Sequence, residues 1–278
     1  MSESTDTAAD RPRTLVLVPS NNEADGLVGF LSQLHRASSR RIVVIDDASD
    51  DATAAIGRAH NVEVLSTALR LGRDGAIRYG LERLLADETE QIVFVDGDGQ
   101  HPPGSVDEVE AALINGATIV NGARFSSRAD QRSTPADRVF MAHVLSAALA
   151  RVTGWDVSDP ACGLVGIKAP TLRRLLPHLK FDAHVSVEIL VRAAQSGISR
   201  DSFAQVVIPA IYDGSSARQV EKYRTASWED RLLPRLTSHI RRLYEWLAPC
   251  YSRLLPVAGV SVCDICSGNC RLTAYLSQ

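Results

Sequence analysis

The chain lacks any uncharged apolar run near the roughly 20 residues that a membrane-spanning helix needs. The longest such run near the C-terminus is Leu254 to Cys263. Residues 1–13, MSESTDTAADRPR, have no apolar core of the signal-peptide kind and are expected to form a disordered tail. These absences predict a cytoplasmic protein that is not integral to a membrane. A basic excess is also missing. Thirty Lys and Arg face 33 Asp and Glu, and the formal net charge is −3, so nothing points to a nucleic-acid partner. Cysteine is scarce before residue 250, where Cys162 stands alone, and four more follow. In a cytoplasmic setting this predicts free thiols or a metal before disulfides. There is no internal repeat and no low-complexity segment.

What is present is ordinary globular material, 45 % hydrophobic and 23 % charged, in 278 residues. That length suits one α/β domain, or one with a small appendage. Short β-branched runs alternate with helical spacing. Strands are expected at Thr14 to Ser20, Arg41 to Asp51, Val62 to Ser66, Ile92 to Val95, Ala117 to Val120 and Ala204 to Tyr212. Helices are expected at about 24–37, 50–60, 74–86, 104–115, 138–152 and 183–196, with residues 160–167 a loop or strand. The alternation predicts a mostly parallel sheet with right-handed crossovers.

Ligands of such sheets sit beyond the carboxyl ends of the strands. Three strands here end in polar clusters: Ser20-Asn21-Asn22-Glu23, Asp46-Asp47 and Asp96-Gly97-Asp98. Two aspartates at i and i+2 both reach one ligand if the chain turns, which Gly97 and Gly99 allow. Left alone they repel and raise one pKa. A hard divalent cation relieves that repulsion and leaves positions for phosphate oxygens. Asp-x-Asp therefore suggests Mg²⁺ or Mn²⁺ neutralising a nucleoside diphosphate. An isolated Asp-Gly-Asp is more often a solvated turn.

This one is not isolated. Val18-Pro19-Ser20-Asn21-Asn22-Glu23, Val44 to Thr53 (VIDDASDDAT), Gly72 to Gly80 (GRDGAIRYG), Asp96 to Pro103 (DGDGQHPP), Asn121 to Phe125 (NGARF) and Val157 to Gly163 (VSDPACG) follow in order. The chain resembles the family 2 glycosyltransferases of GT-A fold, in particular the dolichol- and polyprenyl-phosphate sugar synthases, over residues 14–225. The resemblance implies a GT-A domain over 14–217 and an inverting, metal-dependent transfer. It implies that Pro19, Asn21, Glu23 and Asp47 cradle the base and ribose of a UDP- or GDP-sugar. Arg73 would reach the diphosphate, and Asp96, Asp98 and Gln100 would hold the metal. Asp98 and Asp159 are the catalytic candidates. Asp159 is the base that a hydroxyl acceptor would need. Arg124, Arg132, Arg138 and Ser216 are candidates to bind the acceptor, a polyprenyl phosphate.

The chain departs from the family pattern at several points. Asn21 stands where the family carries Tyr, Arg70 where Asn precedes Gly-Lys-Gly, and Cys162 where Ser is usual. The late Arg-x-x-Gly-x-Ser-Lys segment is replaced by Tyr212-Asp213-Gly214-Ser215-Ser216-Ala217. That loss favours a second reading, transfer to a soluble hydroxyl acceptor such as a small metabolite. A nucleotidyltransferase would carry a Gly-rich basic loop after the first strand, and Asn21-Asn22-Glu23 argues against it. A catalytically dead binding module conflicts with the intact Asp pairs.

Residues 218–278 form an expected helical appendage. Over 218–253, eight basic residues meet four acidic ones, with Leu232, Leu236, Ile240, Leu243 and Leu247 at helical spacing. This face is read as packing on the domain or on a second subunit, or as peripheral contact with the inner face of an anionic membrane. Cys263, Cys266 and Cys270 have metal-like spacing, with Cys250 the nearest fourth ligand. The same stretch, Ser261 to Thr273, resembles the opening strand and loop of S-adenosylmethionine-dependent methyltransferases. It is read as a truncated remnant without activity.

Overall fold

The computed structural model describes residues 13–211 apart from 38–39, 87, 126–133, 135 and 182–183. Arg132, Ser216, the N-terminal tail through residue 12 and the appendage with its cysteine-rich end lie outside the described residues.

Seven strands form one sheet: β1 (Thr14–Ser20), β2 (Arg41–Asp46), β3 (Glu63–Ser66), β4 (Gln91–Phe94), β5 (Ile119–Ala123), β6 (Val165–Lys168) and β7 (Phe203–Val207). Their order is β3-β2-β1-β4-β6-β5-β7. All pairs are parallel except those of β6, which runs antiparallel between β4 and β5. The helices are α1 (Ala24–Ala37), α2 (Thr53–Ala59), α3 (Gly72–Leu84), α4 (Gly104–Ile114), α5 (Ala136–Thr153), α6 (Ala169–Leu175) and α7 (Val185–Gln195). The fold is α/β with a mostly parallel sheet, as the alternation of runs predicts.

Every residue of β1 is buried, which fits a strand covered on both faces. Successive side chains alternate between those faces. Val16 and Val18 join Leu27, Phe30, Leu31 and Leu34 of α1 and Val106, Val109 and Leu113 of α4 in one core. On the other face α3 comes close enough that a Cβ on Gly80 would lie 3.0 Å from Ile45 Cδ1 and 3.5 Å from Leu17 Cδ1.

Several boundaries differ from the sequence reading. β2 stops at Asp46 rather than Asp51, because the chain turns through Ala48 at φ 52°. β5 is shifted to Ile119–Ala123, carrying the buried polar Asn121 inside the strand. α3 begins at Gly72, two residues early, because a carboxylate receives its first N–H groups, as described below. β7 ends at Val207. Ile208 N still donates to Ala123 O at 3.1 Å, but Pro209 has no N–H with which to continue. α6, which no periodicity announced, follows β6 directly and starts over Pro170.

Candidate active site

β1, β2 and β4 are adjacent and parallel, so their carboxyl ends share one rim. Ser20 pairs with Asp46 across β1 and β2, and Leu17 pairs with Phe94 across β1 and β4. The three polar clusters therefore meet, as expected. Pro19 is buried within β1. Asn21 donates from Nδ2 to Asp47 O at 2.7 Å. Asn22 N donates to Ser49 Oγ, and Asn22 Oδ1 accepts from Asp50 N, each at 3.0 Å. Glu23 is half-buried, and its N–H donates to Thr53 Oγ1 at 2.9 Å. These bonds tie the loop after β1 to the loop after β2.

Asp47 is 2 % exposed, and its carboxylate is occupied by backbone. Oδ1 accepts from Leu71 N at 2.7 Å and from Thr67 Oγ1 at 3.2 Å, and Oδ2 accepts from Gly72 N at 2.8 Å. A carboxylate on the first N–H groups of a helix satisfies orphan donors and opposes the positive end of its dipole. Asp47, expected at the base and ribose, here fixes the start of α3 and thereby the place of Arg73.

Arg73 is the hub. Nε donates to Asp96 Oδ1 at 2.5 Å, Nη1 to Asp74 Oδ1 at 3.1 Å and Nη2 to Gly163 O at 3.1 Å. Asp74 was missed by the motif reading, although the pattern carried a signal. It stands where Gly-Lys-Gly-x-Ala has its second glycine. Its Oδ2 accepts from Val185 N at 3.0 Å, so it also holds the start of α7.

Asp96 and Asp98 meet beyond β4, with Gly99 turning the chain at φ 77°. Burial pushes the Asp96 carboxyl up, but the Arg73 guanidinium beside it, with His101 and Arg124, outweighs burial and holds it below the usual range. Asp98 goes the other way. Burial and then the charge of Asp96 push it up to about 6, against the backbone N–H of Gln100 at 3.0 Å and the more distant Arg124 and Arg138. Gly163 packs over Asp96 so closely that a Cβ there would lie 1.9 Å from Asp96 Oδ2.

Among the described residues, no three His, Cys, Asp or Glu side chains form a cluster able to hold a metal by themselves. The donor set fits the alternative, a hard cation held by one or two carboxylates and completed by phosphate. Two observations support the fit. Asp98 is pushed toward its neutral form by burial and then by the charge of Asp96, and His101, 1 % exposed, has an Nδ1 without a hydrogen-bond partner. Burial holds the His101 imidazole down at about 4, against the pull of Asp96, so the ring is a neutral nitrogen donor. Gln100 is buried beside them.

Asp159 and Arg124, each expected at the acceptor, are paired with each other. Arg124 Nε donates to Asp159 Oδ2 at 2.7 Å and Nη2 to Oδ1 at 3.2 Å, with both side chains nearly buried. Arg124 N adds a bond to Oδ2 at 3.3 Å, and Asn121 Nδ2 holds Asp159 O at 2.8 Å. In this arrangement the Asp159 carboxylate faces a guanidinium rather than an open acceptor position. Arg138, half-buried on α5, remains within electrostatic reach of Asp98. Cys162 is fully buried. Burial, followed by the Asp159 charge, pushes its thiol up to about 12, which fits a packing residue and not a nucleophile.

The sequence profile described as glycosyl transferase family 2 matches residues 15–176. The chain belongs to that family. It is a glycosyltransferase, and the strand-end acids and Arg73 all lie inside the matched region. This family 2 chain is 27 % identical over 205 residues to an uncharacterized protein of Methanocaldococcus jannaschii, covering 73 % of this chain and 83 % of that one. It is 26 % identical to the polyprenol monophosphomannose synthase of Mycolicibacterium smegmatis, over 61 % of this chain and 68 % of that one. Among solved structures it is similar to glucosyl-3-phosphoglycerate synthase from Mycobacterium tuberculosis in complex with Mn²⁺, UDP-glucose and phosphoglyceric acid. There the TM-score is 0.58 at 19 % identity, covering 91 % of this chain and 84 % of that chain. That likeness bears on the fold, which is GT-A.

Proposed function

We propose that this glycosyltransferase moves a sugar from a nucleoside-diphosphate sugar to a polyprenyl phosphate, with inversion and with Mg²⁺ or Mn²⁺. The observation that carries the acceptor is the buried Arg124–Asp159 pair. A hydroxyl acceptor must lose a proton and needs a base. With Asp159 engaged, the geometry favours an acceptor whose nucleophilic oxygen is already an anion. The oxygen of a phosphate monoester forms the bond to the anomeric carbon. The bond from that carbon to the diphosphate breaks, and its electron pair leaves with the nucleoside diphosphate. No proton changes hands.

Residues of this chain supply the rest. Asp98, with Asp96, would hold the cation, whose role is to neutralise the departing diphosphate. Arg73 would add a positive charge on the same leaving group. Arg138, within electrostatic reach of Asp98, is a candidate to bind the acceptor phosphate, with Arg132 and Ser216 as further candidates. The relative named as a polyprenol monophosphomannose synthase supports this acceptor.

A second reading keeps the donor and the metal and changes the acceptor to a hydroxyl of a small soluble metabolite, whose proton would need a base. The solved neighbour that holds phosphoglyceric acid favours it, as does the replaced segment at 212–217. Nucleotide release from UDP- and GDP-sugars with Mn²⁺ or Mg²⁺ tests both, with polyprenyl phosphate, 3-phosphoglycerate or no acceptor, and Asp98→Ala as control. Release that depends on the lipid and vanishes in the variant is the expected result. Release that depends on phosphoglycerate replaces it with the second reading. No release and no metal-dependent nucleotide binding would overturn both.

A further inference from the structure

The guanidinium of Arg73 commits all three nitrogens inside the site, to Asp96, Asp74 and Gly163 O. Asp96 meets it at 2.5 Å through Oδ1, the oxygen farther from Gly163. Two carboxylates one residue apart thus already have a resident cation, and that cation belongs to the chain. It sits on the first of the two, and the second, Asp98, is left facing like charge with Gln100 N on its Oδ1.

We infer that Arg73 is the internal counter-ion of Asp96, and that metal and donor bind as a unit because Arg73 must leave Asp96 before both carboxylates can face a divalent cation. This rests on the donor reading above. A guanidinium in contact with Asp96 opposes an incoming Mn²⁺ in two ways. It occupies Asp96 Oδ1, and it repels a second positive charge. A diphosphate reverses both effects, because it offers the guanidinium a better anion and a planar, two-pronged partner.

Asp74 makes the transfer local. It grips Nη1 from the side opposite Asp96, at 3.1 Å, and is itself fixed by Val185 N at the start of α7. Arg73 need not swing into solvent. It pivots on Asp74 while Nε exchanges a carboxylate for a phosphate. Glycine in that position, as in Gly-Lys-Gly, offers no such pivot. The acid is therefore a positioning residue, and it ties the donor-side helix α3 to α7.

The test reads metal binding without catalysis. Free Mn²⁺ is followed by electron paramagnetic resonance during titration of the full chain, with and without UDP or GDP. Wild type, Arg73→Met and Arg73→Gln are compared, with thermal melting to confirm that each folds. In the absence of nucleotide, both variants are expected to bind Mn²⁺ roughly tenfold or more tightly than wild type, because a competing charge is gone. In wild type, the nucleotide should tighten Mn²⁺ by a larger factor than it does in the variants. Equal Mn²⁺ affinity of wild type and either folded variant without nucleotide would overturn the inference. The two readings fail separately: absence of any nucleotide binding would overturn the donor reading, while the comparison with Mn²⁺ alone still decides the role of Arg73.

Discussion

Arg124 and Asp159 form a two-pronged ion pair, Nε to Oδ2 at 2.7 Å and Nη2 to Oδ1 at 3.2 Å, with 7 % and 0 % of their side chains exposed. Removing one member leaves the other charged and buried. Asp159→Ala is expected to cost about 3–5 kcal/mol of folding stability. Urea unfolding measures it, and Arg124→Gln should lose a comparable amount. A catalytic base would behave differently. Loss of transfer by Asp159→Asn at unchanged stability would restore Asp159 to the chemistry.

Asp98 carries the largest expected effect on turnover. Asp98→Asn keeps the shape and removes the charge that the metal needs, so transfer should fall roughly 100-fold or more while the melting temperature holds or rises. Steady-state nucleotide release at saturating Mn²⁺ checks this. A variant within threefold of wild type would remove Asp98 from the metal site.

The same residue predicts a dependence on pH. Its folded value of about 6 lies above the ordinary carboxylate range. Between about pH 4 and 6 the native chain holds a proton that the unfolded chain has released. Stability from this group is therefore present below that window and lost as pH rises through it. Wild type without metal should lose about 1–2 kcal/mol relative to Asp98→Asn between pH 4 and 7, allowing for partial solvent screening of a two-unit shift. Mn²⁺ should raise the melting temperature more at pH 7 than at pH 5, because the proton and the metal compete. Parallel profiles for wild type and variant would contradict this.

Gly163 covers Asp96, and a methyl group there has no room. Gly163→Ala should displace Asp96 or the 160–163 loop and weaken Mn²⁺ and nucleotide binding about tenfold or more, with the loss appearing mainly in KM. Calorimetric titration with UDP and Mn²⁺ decides. Unchanged affinity would mean that Asp96 is free to move.

The parts of this structure that were legible in the sequence are those governed by local patterns. The apolar runs ending in Ser20, Asp46 and Asp96 announced three strands and one rim, because strand period and acidic ends are written along the chain. The motif order then gave the family. What stayed hidden depends on partners distant in sequence. Nothing near Asp47 in the chain reveals that Leu71 N and Gly72 N will occupy its carboxylate. Arg124 and Asp159 lie 35 residues apart, and each was assigned separately to a substrate before the fold joined them. Asp74 lies inside a recognisable segment, but its bond to Val185 N, 111 residues away, leaves no trace in the local pattern. The antiparallel course of β6 is likewise invisible in VGIK, four residues whose apolar character serves either direction.

That strand governs the order in which the molecule can be built. β1 to β4 lie within residues 14–94, with β4 closing on β1 across 77 residues, whereas β4 and β5 are not neighbours and are joined only through β6, some 75 residues later still. Closing loops of that size is a slow step, because chain entropy is spent before the contacts form. During synthesis the ledge bearing Asp96 and Asp98 can assemble early, but Gly163, just ahead of β6, arrives only when the last strands dock. A nascent chain therefore displays its paired acids to solvent before it acquires the cover that makes them a binding site, and β5 with β7 has no sheet to join until the 165–168 segment has emerged.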